Sequence, residues 1–269
     1  RGDEVSDVIE HYGHVVIDEC HHLAARSYEK LFKAAKARYV LGLTATPIRR
    51  DGQHPIIFMQ CGPIRHEASR PEGAPRSLMV IPRLLAAQPN SDSAMAIQDV
   101  FRQLANSVER SRRIVDDVLH AYRSGRSILV LTERTEHLTT LEQALAGQIE
   151  NLFALHGRMV RKQRAALFEA LEALPGDAPR VLLATGRLIG EGFDHPPLDT
   201  LMLAMPISWK GTLQQYAGRL HREHASKSEV LIYDYVDTGN VMLERMWDKR
   251  QRGYRAMGYR IDTTQGKLC

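Results

Sequence analysis

Two adjacent carboxylates, Asp18 and Glu19, follow the short apolar run His14-Val15-Val16-Ile17. An apolar run that stops on acids reads as a buried parallel strand, and such strands present their ligand-binding residues at their C-terminal ends. One carboxylate there can hold a hydrated Mg2+ while its neighbour orients and deprotonates an attacking water, which suits a magnesium-nucleotide site. Acids after a strand also serve solubility alone, so the pair does not decide the matter by itself. Much later in the chain, Arg219 and Arg222 stand three apart, a spacing that puts both guanidiniums on one face of a helix. Two such groups aimed at a γ-phosphate stabilise the charge that develops during phosphoryl transfer. Ordinary surface charge is the plain alternative.

Other polar residues also close apolar runs: Thr132, Gly157-Arg158 and Thr185-Gly186. Hydroxyls and backbone N–H groups at strand ends suit sequence-independent contact with a phosphate backbone. Turn chemistry and helix capping are the competing readings for each. His156, beside Gly157, reads as structural, and Trp209 as either a base-stacking ring or loop packing.

The elements that must position these residues follow from periodicity. His14–Ile17 and Tyr39–Leu43 read as buried strands, with a helix over 27–37 between them. Prolines from Pro55 to Pro89, mixed with Gly, Ser and basic residues, mark residues 62–93 as linker-like, interrupted by a strand at Leu78–Ile81. Helical patterns near 97–123, 136–146, 160–173 and 212–221 then separate apolar runs at Ile128–Leu131, Leu152–Leu155, Val181–Ala184, Leu201–Ala204 and Val230–Tyr233. That alternation predicts an α/β fold with a parallel sheet covered on both faces. A final helix near 239–256 carries Arg245, Lys249, Arg250, Arg252 and Arg255, read as a solvated face.

The bulk properties set limits. With 269 residues, 43% hydrophobic and 25% charged, the composition is that of a soluble globular protein. No apolar run approaches the roughly 18 residues needed to span a bilayer, and no export leader is visible. The three cysteines, Cys20, Cys61 and Cys269, are too few and too widely spaced for a disulfide framework, which points to a reducing cytoplasm. Cys20-His21-His22 lacks a second ligand pair at zinc spacing. A net charge of +4 permits an anionic partner without demanding one.

Four stretches in order carry a resemblance. Val16-Ile17-Asp18-Glu19-Cys20-His21 resembles motif II of the DExH branch of superfamily 2 helicases, and Thr44-Ala45-Thr46 resembles motif III. Ala184-Thr185-Gly186 with Gly190-Glu191-Gly192-Phe193-Asp194 resembles motif V, and Gln215 to Arg222 resembles the Q-x-x-G-R-x-x-R of motif VI. The similarity covers nearly the whole chain and is nearest to the type III restriction subunit and XPB-like group. It implies a partial RecA-like lobe over 1–70, a linker over 71–95 and a nearly complete second RecA-like lobe over 96–269.

The resemblance also implies roles. Asp18 would bind Mg2+ through water and Glu19 would be the general base, while His21 and Gln215 would communicate across the nucleotide cleft. Thr44 and Thr46 would couple the ATP state to the nucleic-acid groove. Gly190, Gly192 and Asp194 would form the loop near the ribose, with Arg219 and Arg222 on the γ-phosphate. Thr132, Gly157, Arg158, Thr185 and Gly186 would touch the backbone of DNA or RNA.

The chain departs from the family pattern in one decisive respect. No G-x-x-x-x-G-K-[ST] occurs; the Gly266-Lys267 pair has Ile261 and Leu268 where Gly and Ser or Thr should stand. Motif VI also has Tyr216 where many members carry another Arg. The expectation is therefore a piece of an ATP-dependent motor whose phosphate-binding loop lies upstream of Arg1, and which hydrolyses ATP negligibly alone. The other expectations are a non-catalytic nucleic-acid-binding module, or the motor subunit of a restriction or defence complex with a nuclease or primase partner.

Overall fold

The computed structural model describes residues 7–20, 23, 33–44, 47, 52, 54–68, 75, 77–86, 96–186, 188, 193–207, 210–225 and 227–263. The chain divides into two compact units, Arg1–Arg70 and Pro71–Cys269.

In the first unit, β1 (His14–Ile17) and β2 (Tyr39–Gly42) pair in parallel, with His14 opposite Tyr39 and Ile17 opposite Gly42. α1 (His54–Cys61) buries Ile57 against Cys20 and Leu23, with Ile17 and Cys61 packed alongside. This helix lies in a stretch whose prolines suggest irregular chain. Pro55 falls in its first turn, where a missing N–H leaves no hydrogen bond unmade. Of the helix expected over 27–37, residues 33 and 34 are helical, 35–37 are not, and 27–32 lie outside the described residues.

The second unit carries a seven-stranded sheet in the order β5-β6-β4-β7-β8-β3-β9, parallel throughout. Its strands are β3 (Ser77–Leu85), β4 (Ser127–Thr132), β5 (Leu152–Leu155), β6 (Arg180–Thr185), β7 (Thr200–Leu203), β8 (Glu229–Asp237) and β9 (Arg260–Ile261). Among the described residues six helices accompany them: α2 (Ile97–Asn106), α3 (Val108–Arg123), α4 (Thr135–Leu145), α5 (Arg161–Ala173), α6 (Lys210–Leu220) and α7 (Val241–Ala256).

The sheet is covered on both faces because side chains alternate along each strand. Leu129, Leu131, Leu182 and Leu203 pack with Leu171, Leu213 and Leu220 of α5 and α6. Ile128, Val130, Leu183 and Met202 pack with Ile114, Val118, Leu138 and Leu141 of α3 and α4. Every residue of β4 is buried. The helical pattern near 97–123 resolves into two helices because Ser107 caps the second, its hydroxyl accepting the Arg110 N–H at 3.3 Å.

Residues 71–95, expected as a linker, contribute more than the four-residue strand their sequence suggests. β3 runs nine residues and pairs with β8 over its whole length, from Ser77 opposite Glu229 to Leu85 opposite Asp237. It belongs to the sheet because Leu78 and Val80 bury into the core. Pro82 is tolerated there because β9, the neighbour on the other side, pairs only with Met79 and Val80.

A second difference concerns α7. Arg250 is not part of a solvated basic face: it is 3% exposed and makes a two-pronged pair with Asp234, at 2.7 and 2.9 Å. Tyr254 donates its hydroxyl to the same carboxylate at 2.7 Å, and Arg250 also bonds the Ile207 carbonyl at 3.1 Å. Arg250 lies on the stripe Leu243, Met246, Arg250, Tyr254, the face that α7 buries. Arg250→Ala would leave the Asp234 carboxylate buried and uncompensated, so chemical denaturation should show a loss of about 3–5 kcal/mol. Removing the exposed Arg252 should cost less than about 0.5 kcal/mol.

Candidate functional site

Each unit is built so that polar residues gather at strand C-termini. In the first unit, Asp18 and Glu19 form the turn that ends β1. One Asp18 oxygen accepts the Glu19 N–H at 2.9 Å, and Glu19 has φ 50°, in the left-handed region that non-glycine residues rarely occupy. The turn is tied to the end of β2 by backbone bonds: the Leu43 N–H donates to the Ile17 carbonyl at 2.8 Å, and the Cys20 N–H to the Leu43 carbonyl at 2.9 Å. Thr44 follows directly, so the two strand ends are held as one edge. Asp18 is exposed, while Glu19 and Thr44 are half-buried. His21 and Thr46 lie outside the described residues.

In the second unit, register brings three loops to one edge. Thr132 stands opposite Thr185, and Leu155 opposite Ala184, so the residues after β4, β5 and β6 emerge together. Gly157 and Arg158 are exposed, and Thr185 is half-buried. Gly186 is buried against α6: a Cβ added there would lie 2.2 Å from the Tyr216 hydroxyl oxygen. The Tyr216 ring and hydroxyl thus occupy the space that a side chain at 186 would need. Tyr216 is buried, and burial followed by the Glu133 charge pushes its hydroxyl up to about 12.

Thr132 departs from its expected role. It is 3% exposed, its hydroxyl lies 3.0 Å from His137 Nδ1, and it accepts the Arg134 N–H at 3.3 Å. The side chain is engaged in organising the start of α4 and is shielded from a phosphate. His137 itself is buried, and burial followed by the Arg110 charge pushes its ring down to about 4.

Arg219 and Arg222 also sit differently from their spacing. α6 ends at Leu220, so Arg219 is on the helix while Arg222 lies in the turn beyond it. That end is closed by Lys227, whose ammonium donates to the carbonyls of Leu220 and Arg222 at 2.9 Å each. Burial pushes this lysine down to about 8, against the attraction of Asp199 and Asp194. His221 anchors the same turn, its Nε2 lying 2.8 Å from the Tyr259 hydroxyl with the rings stacked.

The turn brings Arg222 to Asp194, Nε to Oδ1 at 3.1 Å, with both side chains about half exposed. An ion pair that open to water contributes little and exchanges readily. Gln215 is half-buried on α6, and Gly190 and Gly192 lie outside the described residues. Beside the pair, His195 is buried with Nε2 facing Arg180 Nη1 at 3.2 Å, and burial foremost, then the Arg180 charge, pushes its ring down to about 4.

Among the described residues no three His, Cys, Asp or Glu side chains converge on a point. An exposed carboxylate at a strand end matches the way Mg2+ is held by one or two carboxylates plus substrate phosphates. No helix among the described residues is long and apolar enough to cross a membrane.

Helices on both faces of a parallel sheet, with loops gathered along one edge, define the second unit as a RecA-like lobe. Residues 3–49 match the family described as type III restriction enzyme, res subunit, and residues 110–224 match the helicase conserved C-terminal domain. The chain is 40% identical over 261 residues to the DNA 3'-5' translocase XPB2 of Sulfurisphaera tokodaii, covering 84% of this chain and 58% of that protein. It is 24% identical over 266 residues to protein L396 of Acanthamoeba polyphaga mimivirus, which carries the name of an ATP-dependent RNA helicase, covering 95% of this chain and 49% of that one. The fold matches T4 UvsW with a TM-score of 0.55 at 16% identity, over 97% of this chain and 56% of UvsW. The chain belongs to the superfamily 2 helicases and carries their C-terminal region. It spans about half the length of the curated relatives it matches.

Lys227, His137 and the Arg250–Asp234 pair were not legible as site supports. Only Arg250 left a signal, its place on an otherwise apolar helical stripe. His137 and His195 stay neutral in the fold at pH values where an unfolded histidine takes up a proton. Stability should therefore be intact above about pH 6.5 and fall as pH drops from there towards about 4. Denaturation midpoints should show that fall, and it should be shallower in His137→Leu. Equal slopes in both proteins would remove His137 as a cause.

Proposed function

We propose that this chain is the greater part of an ATP-driven motor that moves along or remodels DNA or RNA, organised as a partial first lobe followed by a second RecA-like lobe. The observation that carries the reading is the order of its parts. A strand-end Asp-Glu, a strand-end Thr, a Thr-Gly strand end and an arginine-bearing helix follow one another within the stretches that match the two families.

In this reading Asp18 holds Mg2+ through water, and Glu19 takes a proton from the attacking water. Arg219 and Arg222 neutralise charge growing on the γ-phosphate, and Asp194 gives up its exposed pair with Arg222 as a phosphate takes its place. Gly190, Gly192 and Asp194 line the ribose. His21 and Gln215, with Thr44 and Thr46, link nucleotide state to movement. Gly157, Arg158, Thr185 and Gly186 meet the nucleic-acid backbone, and at 132 the contact falls to the main chain.

The P-loop that would cradle the β- and γ-phosphates is absent from these 269 residues, and we assign it to sequence outside them. The match of residues 3–49 to a restriction subunit favours, as a second reading, a motor serving a restriction or defence complex.

ATP turnover should be measured for this chain and for a longer protein that includes the P-loop, with and without single- and double-stranded nucleic acid. The chain alone should show none. The longer protein should be stimulated by nucleic acid, and Glu19→Gln should reduce its turnover by at least about a hundredfold, the lower end of the range for a lost general base. Full activity in Glu19→Gln would defeat the mechanism, and stimulated turnover by the short chain would defeat the assignment of the phosphate site.

A further inference from the structure

The residue that follows the Asp18–Glu19 turn has an unexpected neighbour. Cys20 is 3% exposed, in a small core with Leu23 and Ile57, and Cys61, at the last position of α1, is packed against that core. Both sulfurs converge on Gly42 at the end of β2. A Cβ added to Gly42 would meet Cys61 Sγ at 2.8 Å and Cys20 Sγ at 3.0 Å. Only a residue without a side chain admits both sulfurs to that spot. Both cysteines are free thiols, and Cys61 is only partly buried.

We propose that Cys20 and Cys61 are an oxidation site that closes a reversible disulfide, pinning the Asp18–Glu19 turn to α1. The partly exposed Cys61 reacts first. Its thiolate attacks a low-molecular-weight disulfide such as oxidised glutathione, forming a mixed disulfide and releasing one thiolate. The Cys20 thiolate then attacks the Cys61 sulfur and expels the second. Two protein thiols are oxidised, and one small disulfide is reduced to two thiols.

Exchange proceeds through the thiolate, so closure quickens as pH rises. The mechanical consequence follows from the chain path. Cys20 already donates its N–H to the Leu43 carbonyl, and Glu19 beside it holds a left-handed conformation. A covalent tie at position 20 removes the freedom of that turn to relax.

The 269-residue chain, incubated with oxidised glutathione at mildly alkaline pH and then alkylated, should take up one alkyl group where the reduced chain takes three, and lack the two thiol hydrogens of the closed pair. Peptide mapping should link Cys20 to Cys61 and leave Cys269 alkylated, and dithiothreitol should reverse the change. Cys269→Ser should behave as the parent, Cys61→Ala should not close, and Gly42→Ala, which drives a methyl between the sulfurs, should close more slowly. Glutathione retained on Cys61, or Cys20 joined to Cys269, would overturn the pairing. Amide hydrogen exchange in the peptide containing Glu19 should slow on oxidation, and unchanged exchange would overturn the pinning. The effect on turnover rests on the reading of Glu19 above. If the bond forms and exchange slows while ATP hydrolysis by the P-loop-containing protein is untouched, the catalytic reading fails and the disulfide stands.

Discussion

Parallel pairing of β4 with β6 on one side and β7 on the other governs the second unit. Neighbouring parallel strands run the same way, so every strand delivers its C-terminal residue to one edge and every connection must cross back over a face. The crossovers are the helices, and burying the sheet between them is what makes the strands near-continuous apolar runs. Loops carrying Arg158 and Thr185 thus share a neighbourhood although they are far apart in the chain, whereas Asp194 and Arg222 meet at the other ends of the strands, where the adjacent His195 faces Arg180 at the start of β6. The first unit repeats the arrangement on a small scale, where two strands set Glu19 beside Thr44.

That edge is held in shape by charges placed under it. Arg250 with Asp234 reaches the Ile207 carbonyl at the approach to α6, and Arg110 pairs with Asp237 at 2.6 and 2.7 Å while bonding the Ala204 carbonyl after β7. Lys227 closes the far end of α6. Buried pairs of this kind add little net stability relative to apolar packing, because desolvation offsets most of the attraction. Their effect is directional: each has one geometry in which its hydrogen bonds are made, and that geometry fixes a loop. The helix that carries Gln215 and Arg219 is thereby anchored at both ends, whereas the Arg222 guanidinium pairs with a solvent-exposed carboxylate.

Reading the sequence recovered the strands of the second unit closely, since their apolar runs are long and their helices strongly periodic. It was less successful where local signals compete with distant ones. β3 looked short because Pro82 and the surrounding prolines suggest linker, yet pairing with β8 overrides that preference. α1 was hidden by Pro55, a residue that a helix accepts in its first turn. Thr132 matched a contact position by type, but its hydroxyl is occupied by His137, a partner that its type did not reveal. Arg219 and Arg222 were expected on one helix, but the helix ends between them, where Lys227 collects the carbonyls of Leu220 and Arg222.

The chain by itself determined which residue types sit at which strand ends, and their order. Apolar period and motif spacing are local properties carried by consecutive residues, and so the α/β class and the helicase family were legible. Tertiary structure alone decided which of those residues remain available and what they lean on. It buried Thr132 and Arg250, moved Arg222 off the helix to face Asp194, set Tyr216 against Gly186, and brought Cys20 against Cys61. Most of these depend on contacts between segments remote in sequence, and such contacts exist only once the strands have assembled and chosen their register.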